Sequence, residues 1–350
     1  MRLSLLPLRV LTILLTLLAA GAPAWGADAA ALESPPPRGI ELLRTLDAEG
    51  SFISLAGPAL FLTAGITKEG TRPPGFWFDT ARDPAAPTLV CASLPPAWQI
   101  AVIGDQALVC DYTNNLGVWR MAGREWRQTA SLPMPGQTEN VAVSRQLAYV
   151  ASHTAGLTIV AFENPESPKI LSNFNPKIDC DAVALWKDFA ILYGHWESRL
   201  VVVDISDPTR PRQIGIYQHA PKTFNQGEAE VHKGFVYCTA NRSLVIVDLA
   251  DPTQPKLAAE VPFSGPITDV WVQDGYAFLA GAGGVRVLEV TDPAKPAEAG
   301  FFPGAATQVA VERRPSGSAG PGFFIYAANQ TGPAQILFFR LAESAGRGRQ

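Results

Sequence analysis

No Cys-X-X-Cys pair, Gly-X-Ser-X-Gly elbow, His-Glu-X-X-His motif or phosphate-cradling glycine loop occurs in these 350 residues. Their absence removes the thioredoxin-like, zinc-ribbon, serine-hydrolase, zincin and P-loop readings. Charge is scarce, at 17% of residues, and no basic run is present. With acids outnumbering bases 32 to 28, neither nucleic acid nor an anionic membrane surface is expected as the main partner. The apolar run near the start, VLTILLTLLAA (Val10–Ala20), is too short to span a bilayer.

What the chain has in abundance is turn formers, 30 Gly and 30 Pro, against a 47% hydrophobic content. That mixture suits many short strands rather than long helices. The opening residues read as a processing signal. Arg2 and Arg9 precede the apolar run, and small residues after it place cleavage after Ala24 or Gly26. Residues 1–26 are thus expected to be a signal peptide, followed by a flexible proline-rich linker over 27–39 and, at the far end, a disordered tail over 342–350. Removing residues 1–26 leaves a net charge of −6. Export to the periplasm, the cell surface or the medium follows, with no stable membrane anchor. The four cysteines, Cys91, Cys110, Cys180 and Cys238, allow three pairings in an exported chain. They read better as small buried hydrophobes, because Cys110 and Cys238 recur at nearly one place in two repeats.

The repeat organises everything else. A D-P-x-x-P turn or its Asn variant starts at Asp83, Asn164, Asp207, Asp251 and Asp292; the last four are 43, 44 and 41 residues apart. The first gap, 81, leaves room for a degenerate copy over Trp98–Gly123, and a final copy ends near Leu341. Each unit contains short runs rich in Val, Ile, Tyr and Phe, divided by turn residues, as four antiparallel strands require. Asp or Asn can cap its own backbone in an Asx turn, while each Pro removes a donor and stops the hairpin. Seven such units of about 42 residues predict an all-β, seven-bladed β-propeller of four-stranded antiparallel blades over residues 40–341. The seventh copy stops after three strands. IELLRTLD (Ile40–Asp47) aligns without gaps on PKILSNFN (Pro168–Asn175), so residues 40–46 are expected to complete the last blade, burying Leu42, Leu43 and Leu46.

Leu244-Val245-Ile246-Val247-Asp248 followed by Asp251-Pro252, with RLVVVDISDP from Arg199 and GVRVLEVTDP from Gly284, resembles the LVIVD-repeat family. The first, second and seventh units depart from its pattern. The resemblance implies a bacterial or archaeal exported or cell-surface propeller; it carries fold much further than activity.

Sites are expected on the face where the inner strands begin. Asn140, Asp181, Glu228, Asp269 and Gln308, with Glu139, Asp179 and Glu230 close by, form a candidate polar ring at the channel mouth. Their oxygens suit Ca²⁺ or a cationic group, or else cap neighbouring backbone N–H groups. No other cofactor is expected. His153, His195, Trp196, Arg199, Asn241 and Arg242, joined by Tyr193 and His219, are candidate binding residues on loops of the same face. Asp204 and Asp248 are expected to be structural acceptors, and GAGG (Gly281–Gly284) a turn between strands. The function these features favour is a binding scaffold with a protein or glycan partner. The alternative is a metal-dependent hydrolase or lyase-like enzyme, in which His153 or His195 with Asp181 forms a base and its orienter.

Overall fold

The computed structural model describes residues 39–47, 52–63, 75–123, 125–220, 222, 228–314, 322–329 and 335–342. The expected signal peptide and nearly all of the linker and tail lie outside them, as do residues 221 and 223–227. All regular structure among the described residues is β-strand, arranged as seven four-stranded antiparallel sheets. The inner strands are Phe52–Ala56, Gln99–Ile103, Asn140–Ser144, Ala182–Trp186, Ala229–His232, Ile267–Gln273 and Gln308–Arg314. Each touches the inner strand before it and after it, and the seventh touches the first, so the ring is closed. The sheets are called blades 1 to 7 in that order.

The LVIVD run is explained by this geometry. Strand residues alternate between faces, and both faces of a blade are covered by its neighbours, so every position must be apolar. In blade 4, Leu200 and Val202 pack toward blade 5 with Val236 and Cys238, whereas Val201 and Val203 pack toward blade 3 with Tyr149 and Ile159. In blade 5, Val245 and Val247 face blade 4 while Leu244 and Ile246 face blade 6. All four cysteines are buried, and Cys110, Cys180 and Cys238 are free thiols.

The D-P-x-x-P turn serves two purposes. Its first residue caps the turn as an Asx acceptor: Asp207 Oδ1 accepts from Thr209 N at 2.9 Å, Asp251 Oδ1 from Thr253 N at 3.0 Å and Asn164 Oδ1 from Glu166 N at 3.0 Å. Asp204 and Asp248 play the same part at the ends of the third strands, accepting from Ser206 N and Ala250 N. The following proline carbonyl then clasps the preceding blade. Thr129 Oγ1 donates to Pro165 O at 3.0 Å and Ser172 Oγ to Pro208 O at 2.6 Å. At the next interface the partner is Gly215, where an added Cβ would stand 2.1 Å from Pro252 O. Gly215→Val is therefore expected to force the blade 4–5 clasp apart. The expected cost is about 2–3 kcal/mol, read as a fall in Tm of about 4–8 °C; an unchanged Tm would remove the clasp from the account.

Closure follows the expected route. Ile40–Asp47 pairs antiparallel with Gln335–Ala342 as the outer strand of blade 7. A bulge falls between Leu42 and Arg44, setting Leu43 out of register. Leu171, its counterpart in the sequence alignment, is the bulged residue of blade 3. The same bulge recurs on the outer strand of every blade. Burial along the closing strand differs from expectation. Ile40 is the buried residue, Leu43 and Leu46 are partly covered, and Leu42 is 39% exposed. Outer strands have a neighbour on one side only, so side chains such as Leu42 and Ile170 face solvent.

Candidate functional site

The polar residue at the head of an inner strand has a recurring partner. Gln99 Oε1 accepts from Val141 N at 2.6 Å, Asn140 Oδ1 from Val183 N at 3.2 Å, Asp269 Oδ2 from Val309 N at 2.8 Å and Gln308 Oε1 from Ile53 N at 2.8 Å. Each bond runs from one blade to the next, including blade 7 to blade 1. Backbone N–H groups at a sheet edge facing the channel need an acceptor, and a short amide or carboxylate supplies it. Asn140 also donates through Nδ2 to Glu228 Oε2 at 2.9 Å.

Glu228, Glu230, Asp269 and Gln308 line a central cavity of about 390 Å³, together with Phe52, Trp98 and Trp271. Burial pushes the Glu230 carboxyl up to about 8, with the nearby Asp269 charge adding to it. Glu228 and Asp269 are raised for the same first reason, although Asp269 is partly compensated by the Val309 and Val270 amides.

Asp181 stands apart from that cavity lining. Ala182 heads the inner strand of blade 4, and Asp181 lies one residue earlier, level with Glu139 of blade 3 and Trp98 of blade 2. There it meets two histidines from loops between second and third strands. His195 Nδ1 lies 2.7 Å from Asp181 Oδ2, which also accepts from His195 N at 2.9 Å. His153 Nε2 lies 3.4 Å from Glu139 Oε1. One ligand atom each from Glu139, His153 and Asp181 falls within 4.8 Å of the others. Burial first, then the charges of Asp181, Asp179 and Glu228, pushes the Glu139 carboxyl up to about 9. Of the sequence candidates, His153, His195 and Asp181 thus converge, and Glu139 joins them.

Beside this cluster runs a row of rings that the repeat pattern does not mark. Phe52 and Trp98 have ring centroids 4.7 Å apart, Trp98 and Tyr112 5.3 Å, and Tyr112 and His153 6.4 Å, edge to face. Tyr112 and His153 both hold positive φ, 62° and 45°, the left-handed region that is costly for side chains of this size. On the far side Trp196 tilts against His195 at 4.6 Å and is 63% exposed. A signal for the row exists in the sequence: Trp98 and Tyr112 sit where blade 3 has Glu139 and His153 and blade 4 has Asp181 and His195.

The other candidates are dispersed. Arg199 donates through Nε to Gln218 Oε1 at 3.1 Å. Asn241 and Arg242 occupy the equivalent loop of blade 5, where Arg242 donates to the Ser264 carbonyl. Tyr193 and His219, expected among the exposed anchors, are buried. Tyr193 occupies a blade-facing position and donates to Thr239 O at 2.9 Å, and His219 lies 3.1 Å from Tyr217 Oη. Gly281 and Gly284 close a tight hairpin, as expected.

Seven four-stranded blades around a polar channel define a β-propeller, a class in which recognition is carried by loops and channel mouth rather than by the repeat. Four LVIVD repeats are matched within it, at residues 135–175, 183–219, 229–262 and 264–302, that is, blades 3 to 6. No curated protein matches the sequence. Among solved structures, the computationally designed Ika8 protein is similar with a TM-score of 0.59 at 10% identity, covering 85% of this chain and 99% of its own. A chain of the S. cerevisiae Dbp5 complex with Nup159, Gle1, IP6 and ADP gives 0.56 at 11% identity, with 88% and 96% covered. A functionally unknown protein from Desulfotomaculum acetoxidans gives 0.55 at 10%, with 79% and 90% covered. At such identities the likeness concerns the fold alone.

Proposed function

We propose that the protein is an exported binding scaffold that captures a protein or glycan on the face where the inner strands begin. The observation that carries this reading is the continuous row Phe52–Trp98–Tyr112–His153, with the exposed Trp196 beyond the acidic and histidine cluster. Aromatic rings held rigidly at a surface give large contact area at little entropic cost, and they dominate recognition of both protein side chains and sugar faces. Export rests on the N-terminal sequence, and cell fractionation tests it: retention in the cytoplasm would remove that part.

Capture from a native envelope extract by the immobilised protein tests the binding reading. Trp196→Ala and Trp98→Ala are each expected to weaken capture about 30-fold, and Trp196→Ala, on an exposed ring, to leave the melting curve in place. Loss of capture after protease treatment of the extract identifies a protein partner; loss after periodate treatment identifies a glycan. Equal capture by wild type and both variants would overturn the scaffold.

One observation favours the enzymatic alternative, the 2.7 Å contact between His195 and Asp181 beside Glu139, since it orients an imidazole as a general base would need. Turnover of an ester or glycoside lost in Asp181→Asn but kept in Trp196→Ala would select it.

A further inference from the structure

We propose that Glu139, His153 and Asp181 bind one divalent first-row transition-metal ion of the zinc class, with His195 holding Asp181 in place from behind. Three features of the cluster carry this, independently of whether any partner docks nearby.

The donor set is mixed. One imidazole nitrogen with two carboxylates suits zinc or its first-row neighbours, whereas calcium takes six to eight oxygens and magnesium keeps mostly water. The spacing is also right. Two ligands about 2.0–2.2 Å from a tetrahedral ion lie roughly 3.3–3.6 Å apart, and His153 Nε2 already stands 3.4 Å from Glu139 Oε1. Asp181 completes the set inside 4.8 Å, about an ångström beyond the spacing of ligands on one ion.

The third feature is an orphan. The Asp181 side chain is 3% exposed, and its Oδ1 is buried without a hydrogen-bond partner among the described residues. Oδ2 meanwhile takes both the backbone N–H and the ring nitrogen of His195. A buried carboxylate with one oxygen saturated and the other bare is costly by itself. It is the ordinary state of a ligating carboxylate, whose second oxygen is fixed by an outer hydrogen bond.

The sequence separates these donors by repeat position. Glu139 and Asp181 precede inner strands of adjacent blades, and His153 comes from the loop between the second and third strands of blade 3. Blade-to-blade contact is what brings them within one coordination sphere. The equivalent positions of blade 2 hold Trp98 and Tyr112, so the site is not a consequence of the repeat.

The test is calorimetric titration of the chelator-stripped full chain with Zn²⁺, Mn²⁺ and Ca²⁺, together with elemental analysis of the protein as purified. One Zn²⁺ per chain is expected, with an affinity roughly micromolar or tighter, Mn²⁺ weaker and Ca²⁺ without measurable heat. Glu139→Gln and His153→Gln are each expected to weaken zinc more than about 100-fold, and His195→Phe about 10- to 100-fold through Asp181. His232→Gln, on a residue outside the cluster, should leave affinity unchanged. Circular dichroism checks that each variant is folded. Should any ligand variant fail to fold, the cobalt-substituted wild type supplies a second readout, visible absorption bands that one equivalent of zinc bleaches. Absence of zinc binding in the wild type, equal affinity in folded Glu139→Gln and His153→Gln, or calcium bound as tightly as zinc would each overturn the proposal.

Discussion

A chain lacking residues 40–47 is expected to emerge aggregated or without a cooperative melt. That strand supplies the outer edge of blade 7, paired along its length with Gln335–Ala342. It places Ile40 in the core between blades 6 and 7, against Val285, Phe339 and Leu341. Burying Ile40 contributes about 1.5–3 kcal/mol, and the partly covered Leu43 and Leu46 contribute less. Each ladder hydrogen bond adds about 0.5–1.5 kcal/mol. The total is comparable with the stability of a whole domain, about 5–15 kcal/mol. Two further ties vanish with the strand, Arg340 to Glu41 at 2.7 Å and Gln335 Nε2 to Asp47 Oδ1 at 2.9 Å. Deletion would also expose Leu337 and Phe339 on a naked strand edge, a template for pairing between chains. Size-exclusion chromatography and thermal melts read the outcome. Leu42→Ser is the control, expected to melt like wild type because Leu42 faces solvent. A truncated chain that is monomeric with an unchanged Tm would refute the closure.

Asp269 is expected to show the sharpest split between two substitutions. Its carboxylate accepts from Val270 N and from Val309 N, each at 2.8 Å, and so stitches blade 6 to blade 7. Alanine would leave two buried N–H groups without an acceptor, at about 1–3 kcal/mol each, and Tm should fall by about 5–10 °C. Asparagine keeps one acceptor, as Asn140 does at the equivalent position of blade 3, so Asp269→Asn leaves a single buried N–H unmatched and should lose about half as much at neutral pH.

The pH profile carries a second signature. Glu228, Glu230 and Asp269 all have carboxyls raised by burial, Glu230 to about 8. Below pH about 4 both folded and unfolded chains hold these protons. As pH climbs from about 4 to about 8, the unfolded chain ionises while the folded one keeps its protons, so the folded state binds more of them. Stability therefore falls across that window. Glu230→Gln and Asp269→Asn should each flatten the decline. A Tm that rises from pH 5 to pH 8 in the wild type would contradict the burial of these groups.

Much of this was legible in the chain because repetition averages out local ambiguity. The D-P-x-x-P turns, the continuous apolar third strands and the gapless match of Ile40–Asp47 to Pro168–Asn175 each reappear in the fold, down to the shared bulge at Leu43 and Leu171. The site was less legible for a one-residue reason. Asp181 looks like a member of the channel-mouth series with Asn140 and Asp269, but strand side chains alternate, so a shift of one position changes the side a residue faces. Aligning the hairpin Trp186-Lys187-Asp188 with Gln273-Asp274-Gly275 would have put Ala182 opposite Asp269 and moved Asp181 out of the ring.

The order of residues alone settled the number of blades, their strand grammar and the joining of the two ends, since all three follow from a pattern that recurs along one dimension. Packing in three dimensions decided the rest: which carboxylates converge, which tyrosine is buried and which tryptophan stands free. Asp181 meets His195 inside one unit, but it reaches Glu139 and His153, 42 and 28 residues back, only across the boundary between blades 3 and 4, and no periodicity within a repeat encodes that contact.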